Sequence, residues 1–472
     1  MKEGMTQRQD IPGENRFDVI VIGGGSAGVA AAISSARGGA RTLLVESAPM
    51  IGGELISGIS MLGCLSTRGD WIVGGVVTEL LDRLKPLGGY IGPVFDYRAL
   101  HLVCFDTELM KIAVMQAVAE AGVHLRVQAF FCGIETGGDD TRVRLMHKGG
   151  EAWYAARVVI DCSGDGDVAV AAGAPSEKGA PGTGALQPPS LVYRVCGVET
   201  EPLLRFVRDN PAHFGLGDYP GLGMDARQCA EALYAQGQPK VLLRGTQGLL
   251  KQAIDAGEMY PTSVLAIVPT STARKEVSIN STQLAGVDGT RAASLSEALP
   301  QLMAQVSQGL AFLRRRVPGF EQAALAAVAP KIGVRETRRI LGEHVLDEAD
   351  IMQGRKRADG IAKGGHELDI LAVDGHRHET IAEGGSYDIP YECLVPRGQR
   401  RLLVAGRCIS STREAQSSVR VMGTCMAMGQ AAGTAAALCA LDDGWSGDVR
   451  DVDRARLRRT LIADGAVLEG TL

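Results

Sequence analysis

The sequence predicts an α/β fold: a mostly parallel sheet wound with helices and assembled from both ends of the chain, with an α+β unit inserted between. Three observations predict it. Residues 17–46 read as strand, glycine-rich turn, Ala-rich helix and second strand. Two later apolar runs, 157–161 and 402–405, also end in glycine-containing turns. Between them, from about 176 to 394, the pattern changes to mixed strands and helices. At 472 residues the chain exceeds one core's worth, so two domains are expected.

The first unit carries the most chemistry. Val19, Ile20, Val21 and Ile22 form a run suited to a strand buried on both faces. Gly23, Gly25 and Gly28 follow at G-x-G-x-x-G spacing. Gly23 permits the tight strand-to-helix turn, Gly25 lets backbone approach a pyrophosphate, and Gly28 lets helix and strand pack closely. The helix start faces the phosphate charge. The second strand, 42–45, ends on Glu46, which can accept hydrogen bonds from ribose hydroxyls. Strand, glycines, helix, strand and acid together predict a Rossmann-like dinucleotide site.

Beyond Glu46 come Gly52 and Gly53, a helical stretch Val76–Leu84, and a helix Thr107–Glu120 with Asp106 as its cap. A weak edge strand at 123–127 and a hairpin over 139–153 precede the buried strand 157–161. Gly164-x-Gly166-x-x-Ala169 follows that strand, but Pro175 and a Gly-rich segment cut the unit short, which argues against a second nucleotide fold. A helix over 295–316 ends in Arg314, Arg315 and Arg316, read as complementing the helix dipole on a solvated face. The segment 423–441 is long enough to span a membrane, yet its Ala, Gly, Thr and Gln430 favour a buried helix packed through small residues.

The expected domains are a flexible tail (1–16), the first part of the nucleotide domain (17–175) and the inserted substrate domain (176–394). Within the insert, 330–345 is expected to return to the reactive site. The second part of the nucleotide domain (395–445) and a C-terminal helical extension (446–472) complete the chain.

Composition excludes several classes. A net charge of −5 and 4% aromatic residues argue against a nucleic-acid partner. Ten scattered cysteines without a C-x-x-C argue against zinc or iron–sulfur sites, so no metal is expected. Their reduced state and the polar first sixteen residues, without a signal-peptide core, point to the cytoplasm.

The segments VIGGGSAGVAAA, VVIDCSGDGDVAVAAGAP, PKIGVRETRRILGEHVL, YDIPYECLVP, LLVAGRCISS and SSVRVMGTCMAMGQAAGTAAAL resemble the FAD-dependent oxidoreductases of the glutathione-reductase-like fold. The branch resembled is the bacterial one related to fumarate reductase flavoproteins and the FAD domain of heterodisulfide reductase. The resemblance implies FAD as cofactor. Gly23, Gly25, Ser26, Ala27 and Gly28 would cradle its pyrophosphate, and Glu46 with Ser47 would hold the adenosine ribose. Gly53 would lie near the flavin, Phe131 would offer backbone to the adenine, and Ser163 and Gly164 would close over the nucleotide. Gly406 and Arg407 would contact the ribityl chain, and Met422 and Gly423 would present the last helix to the flavin O2 edge. One departure stands out: relatives often carry Asp-Ile-His where this chain has Asp369-Ile370-Leu371.

The implied activity is hydride transfer between a small organic substrate and flavin N5, with oxygen, a quinone or a carrier protein as the other electron partner. Arg335, Arg420 and Tyr387 are the candidate catalytic residues. Cys64 lacks a second cysteine within reach, so a thiol–disulfide mechanism is not expected. Of His344, His366, His376 and His378, none has spacing that singles it out as a base. An electron-transfer subunit of a larger complex and a non-redox FAD protein are the alternative classes. Homo-oligomerisation stays open.

Overall fold

The computed structural model describes residues 11–217, 220–371 and 376–470. Strand β1 (Arg16–Ile22) is central. Its Val19 and Val21 join the apolar cluster on one face of the sheet, and Ile20 and Ile22 join the cluster on the other. That split is what a run without polar residues produces at strand periodicity. Helix α1 (Ser26–Arg37) leads to strand β2 (Thr42–Glu46), parallel to β1. The strand His124–Val127 adds outside β2.

On the other side of β1 runs the parallel strand Gly150–Asp161, and Leu402–Val404 pairs parallel with it in turn. The Rossmann-like sheet thus draws strands from both ends of the chain. Phe130–Glu135 and Thr141–His147 complete it as an antiparallel meander. Ile22 and Val404 both stand in register with Asp161. The turns after the three strands therefore emerge together at one sheet edge, where ligands bind in this architecture.

The inserted region forms a second, antiparallel sheet in the order Val241–Arg244, Val264–Ser271, Glu276–Asn280, Tyr193–Cys196, Ala324–Val328. It has its own apolar core. Charged groups bind the two sheets' helices and strands together. Arg194 pairs with Glu276 at 3.0 Å and with Glu108 on the helix Thr107–Glu120, while Arg274 pairs with Asp106 at 2.9 Å.

The helix Met422–Ala440 lies against α1. Small residues make that approach possible: a Cβ on Gly429 or Gly433 would stand 2.1 Å from the carbonyl oxygen of Ala27 or Ala31. Nearly all of the helix is buried, and no helix among the described residues is long and apolar enough to cross a membrane.

Local readings of the sequence can be placed in turn. The helix Thr107–Glu120 forms with Asp106 accepting from the Glu108 and Leu109 amides. The helix expected from 295 starts at Ala292 and ends at Arg316. Its terminal arginines act locally, Arg314 donating to the Ala323 carbonyl and Arg316 pairing with Glu258. After Gly166 comes only the five-residue helix Asp167–Ala171, and the next strand, Ser176–Lys178, pairs antiparallel with Arg338–Ile340. Of the expected tail, 1–10 lie outside the described residues; Ile11 is buried and Arg16 already belongs to β1.

Candidate functional site

The site begins at the turn between β1 and α1. Gly23 has φ +101°, and a Cβ there would meet the Cys162 carbonyl oxygen at 2.4 Å. A Cβ on Gly28 would stand 1.8 Å from the Gly23 oxygen. Both glycines are therefore required by the protein's own packing. Gly25 differs: its φ is −74°, and nothing lies within 4 Å of where its Cβ would be. The turn thus leaves open space at the residue that immediately precedes α1. No side chain caps that helix, so its first amides remain available to an anion. This open cradle fits the pyrophosphate of a dinucleotide.

Glu46 turns into the same loop. Its Oε2 accepts from the Gly24 amide at 2.7 Å, and its Oε1 accepts from Ala48 at 2.8 Å and the Ser47 hydroxyl at 3.1 Å. Gly53, at φ +56°, faces Gly25: its Cβ would lie 2.8 Å from the Gly25 Cα.

Two residues before Phe131, expected beside the adenine, the chain bonds to the Glu46 loop. The Ala129 amide bonds to the Glu46 carbonyl at 3.1 Å, and Gln128 bonds to Ala48 at 3.2 Å. Phe131 lies further on, paired with Leu145 in the meander and packed against the sheet's second core. The backbone beside Glu46 is thus that of Gln128 and Ala129.

The other two turns arrive as their register requires. Asp161 ends its strand as a buried carboxylate, accepting from the Ser163 hydroxyl at 2.6 Å and from the Val168 and Ala169 amides at 2.9 Å each. This fixes Ser163 and Gly164 at the sheet edge. Burial raises the Asp161 pKa despite those donors. Gly406 has φ +93°, and its Cβ would lie 3.0 Å from the Ala27 methyl. Arg407 pairs with Asp165 at 2.9 Å and donates to Thr337 Oγ1 at 2.9 Å, lying over Gly164.

At the start of the last helix, the Gly423 amide donates to the Leu62 carbonyl at 2.9 Å, so that donor is already engaged. Thr424 beside it has a buried hydroxyl without a partner. Met422 is 6% exposed. Cys64 packs under Gly423 as a buried thiol whose pKa is raised by desolvation, which favours the neutral thiol over the thiolate.

Tyr387 is placed differently from its expected role. It is fully buried, and its hydroxyl shares a hydrogen bond with Ser418 Oγ at 2.7 Å. Burial pushes its phenol pKa up. Tyr387 supports the helix beneath Arg420 and presents no donor to open space.

Arg335 and Arg420 do come together. The helix Arg413–Val419 ends at Arg420, and Gln416 on that helix donates to the Arg335 carbonyl at 3.1 Å. Arg335 donates to the Pro188 carbonyl at 2.5 Å and to Ser190 Oγ at 2.7 Å. Arg420 donates to the Asp369 carbonyl at 3.0 Å and faces its carboxylate at 3.4 Å. Burial foremost, and then the Arg420 charge, lowers the Arg335 pKa to about 10.

Sequence spacing missed the group that completes this cluster. Strands Leu368–Leu371 and His376–Glu379 pair antiparallel, setting His376 opposite Leu371 and His378 opposite Asp369. His376 Nε2 lies 2.6 Å from Asp369 Oδ1, and His378 pairs with Glu367. An imidazole is thus supplied from the neighbouring strand, across from the position where relatives carry one. The signal was two histidines at alternate positions of one strand, legible only once the pairing is known. Among the described residues no group of His, Cys, Asp or Glu could hold a metal.

The fold and the three converging turns define a dinucleotide-binding α/β protein. The model of the family described as FAD dependent oxidoreductase matches residues 18–461, and the chain belongs to that family. It is an FAD-dependent oxidoreductase with FAD as its cofactor, and the open cradle at Gly25 fits that group. Curated relatives match locally. The tRNA uridine 5-carboxymethylaminomethyl modification enzyme MnmG of Protochlamydia amoebophila (strain UWE25) is 41% identical over 81 residues, covering 17% of this chain and 11% of that enzyme. MnmG of Aquifex aeolicus (strain VF5) is 35% identical over 108 residues, covering 23% and 15%. Those matches therefore span less than a sixth of the relatives' length. Among solved structures, the flavin-dependent brominase Bmp2 aligns over 94% of this chain and 83% of its own, with 11% identity and a TM-score of 0.47. OxyS anhydrotetracycline hydroxylase from Streptomyces rimosus aligns over 95% and 65%, with 14% identity and a TM-score of 0.43.

Proposed function

We propose that this oxidoreductase moves a hydride between a carbon of a small organic substrate and FAD, with oxygen, a quinone or a carrier protein as the other electron partner. The observation that carries this reading is the meeting of Arg335 and Arg420 beside the start of the last helix. Gly23, Gly25, Ser26, Ala27 and Gly28 bind the pyrophosphate, Glu46 and Ser47 bind the ribose, and Gln128 and Ala129 flank the adenine. Gly53, Ser163, Gly164, Gly406, Arg407, Met422 and Gly423 line the rest of the cofactor's path. When bound, the flavin supplies the hydride-accepting atom, N5.

The chain's own groups supply position and proton handling. Arg335 and Arg420 orient the substrate. Asp369 holds His376 through Nε2, which makes Nδ1 the ring nitrogen to take the proton released when a C–H bond is oxidised. Asp369 is held ionised, its pKa well below the usual range: burial opposes this, but the His376 hydrogen bond and the Arg420 charge outweigh it. A carboxylate in that state orients an imidazole without competing for the proton.

The test is direct. Purified protein should be yellow with one FAD per chain, and an anaerobic metabolite screen should find a compound that bleaches it. Protein that carries no flavin and takes up none would end the proposal.

A further inference from the structure

Buried arginines in this protein have acids. Arg339 pairs with Glu336, Arg194 with Glu276, and Arg98 with Asp96. The partly exposed Arg407 and Arg413 pair with Asp165 and Glu336. Arg335, half-buried like these two, is different. Its bonded partners are a carbonyl and a hydroxyl, both neutral, and no carboxylate among the described residues lies within ion-pair distance of it. Asp369 and Glu54 act on it only from further away.

Arg420 and Gln187, the residue before Pro188, also carry buried donors without partners. Gln187, 1% exposed, accepts at Oε1 from the Leu371 amide at 3.2 Å and from Arg420 at 3.4 Å, while its Nε2 is buried with no partner. Arg420 Nε is likewise buried and unpartnered. The Asp369 carboxylate that Arg420 faces is shared with His376. Of the carboxylates nearby, Glu336 is already paired with Arg339 and Arg413 and Asp369 is shared with His376, so the two guanidinium groups and the spare amide keep N–H groups without a match. Buried donors of this kind cost free energy until an acceptor arrives.

We infer that this cluster is the subsite for a substrate carboxylate, clasped by Arg335, Arg420 and Gln187 Nε2. The inference rests on the oxidoreductase reading and names its substrate class: small organic acids. A carboxylate accepts at both oxygens and donates nothing, which matches the surplus. Arginine forks bind it in two-point fashion. The carboxylate would fix the reacting carbon relative to the cofactor, and the Asp369–His376 pair would stand beside it.

The experiment is calorimetric titration of the FAD-loaded protein with acetate, benzoate and inorganic phosphate at fixed ionic strength, with the flavin spectrum recorded in parallel. Acetate or benzoate should bind saturably and perturb the flavin bands. Gln187→Glu keeps the Oε1 acceptor and places an acid against Arg420, so it should fold and lose carboxylate binding by tenfold or more, about 1.4 kcal/mol. Arg335→Lys keeps the charge but not the fork and should weaken binding less. Saturable binding of phosphate alone, or carboxylate binding that Gln187→Glu and Arg335→Lys leave unchanged, would overturn the inference. The calorimetry needs no turnover, so it fails or succeeds separately from the oxidoreductase reading, which falls if the protein holds no flavin.

Discussion

Gly25→Ala separates a cofactor cradle from a merely structural turn. Around Gly23 and Gly28 the protein itself forbids a methyl group, with contacts of 2.4 and 1.8 Å to backbone oxygens. At Gly25 nothing lies within 4 Å, and a φ of −74° suits any residue. Two small terms then act on the cofactor-free protein. Alanine is a poorer N-cap than glycine, by about 0.5–1 kcal/mol. Against this, removing a glycine reduces unfolded-state entropy, a gain of about 0.4–1 kcal/mol. The two nearly cancel, so the midpoint of urea unfolding of the flavin-free variant should match that of the parent. FAD binding should not survive as well, because the methyl group occupies the space left for the pyrophosphate and holds it off the amides of α1. A loss of tenfold or more, about 1.4 kcal/mol, is expected in FAD affinity measured by fluorescence quenching. Equal FAD affinity in the two proteins would refute the cradle, and a large drop in the stability of the flavin-free form would refute the claim that the space is open.

Other predictions follow from the same geometry. Gly429→Ala places a Cβ about 2.1 Å from the Ala27 carbonyl, so the last helix must move away from α1; unfolding should show a loss of about 1–3 kcal/mol. His366 is buried, and its pKa is lowered to about 3 by desolvation, aided by the Arg420, His378 and Arg98 charges and opposed by Asp369. The unfolded chain takes up that proton near pH 6.5 and the folded chain does not, so stability is lost as pH is lowered from about 6.5 towards 3, by about 1.4 kcal/mol per pH unit at most. His366→Gln should flatten that acid limb in denaturation curves, and an unchanged slope would contradict the assignment. Glu46→Ala should weaken FAD binding while leaving a folded protein, since its partners are amides at an accessible loop.

The sequence was most legible where local rules and tertiary packing agree. The first βαβ unit could be read because each glycine has one steric reason and the strands are continuous apolar runs. The helix Thr107–Glu120 could be read to the residue because Asp106 caps it with its own side chain. That Gln128 and Ala129, rather than Phe131, bond to the backbone at Glu46 and Ala48 could not be read ahead, since Gln128 takes a positive φ of 54° that nothing in its residue type announces. Tyr387 could be read either as a phenolic donor or as a packed residue; it is packed, on a short strand and bonded to Ser418, which a loop-like YDIP segment does not announce.

The reactive cluster was half legible for a different reason. Arg335 opens a charge-dense stretch and Arg420 lies directly before the last helix, so each could be singled out alone. Their partners could not, since the cluster is made by pairings of long range: Gln187 reaches Arg420 from 233 positions away, and Asp369 from 51. The strand pairing that puts His376 beside Asp369 depends on register, and a slip by one residue would turn both histidines to the opposite face. The cofactor cradle is written in one contiguous stretch because a nucleotide phosphate needs backbone amides from a single turn. The substrate end gathers side chains from four separate segments, so its chemistry becomes readable only when the chain is folded.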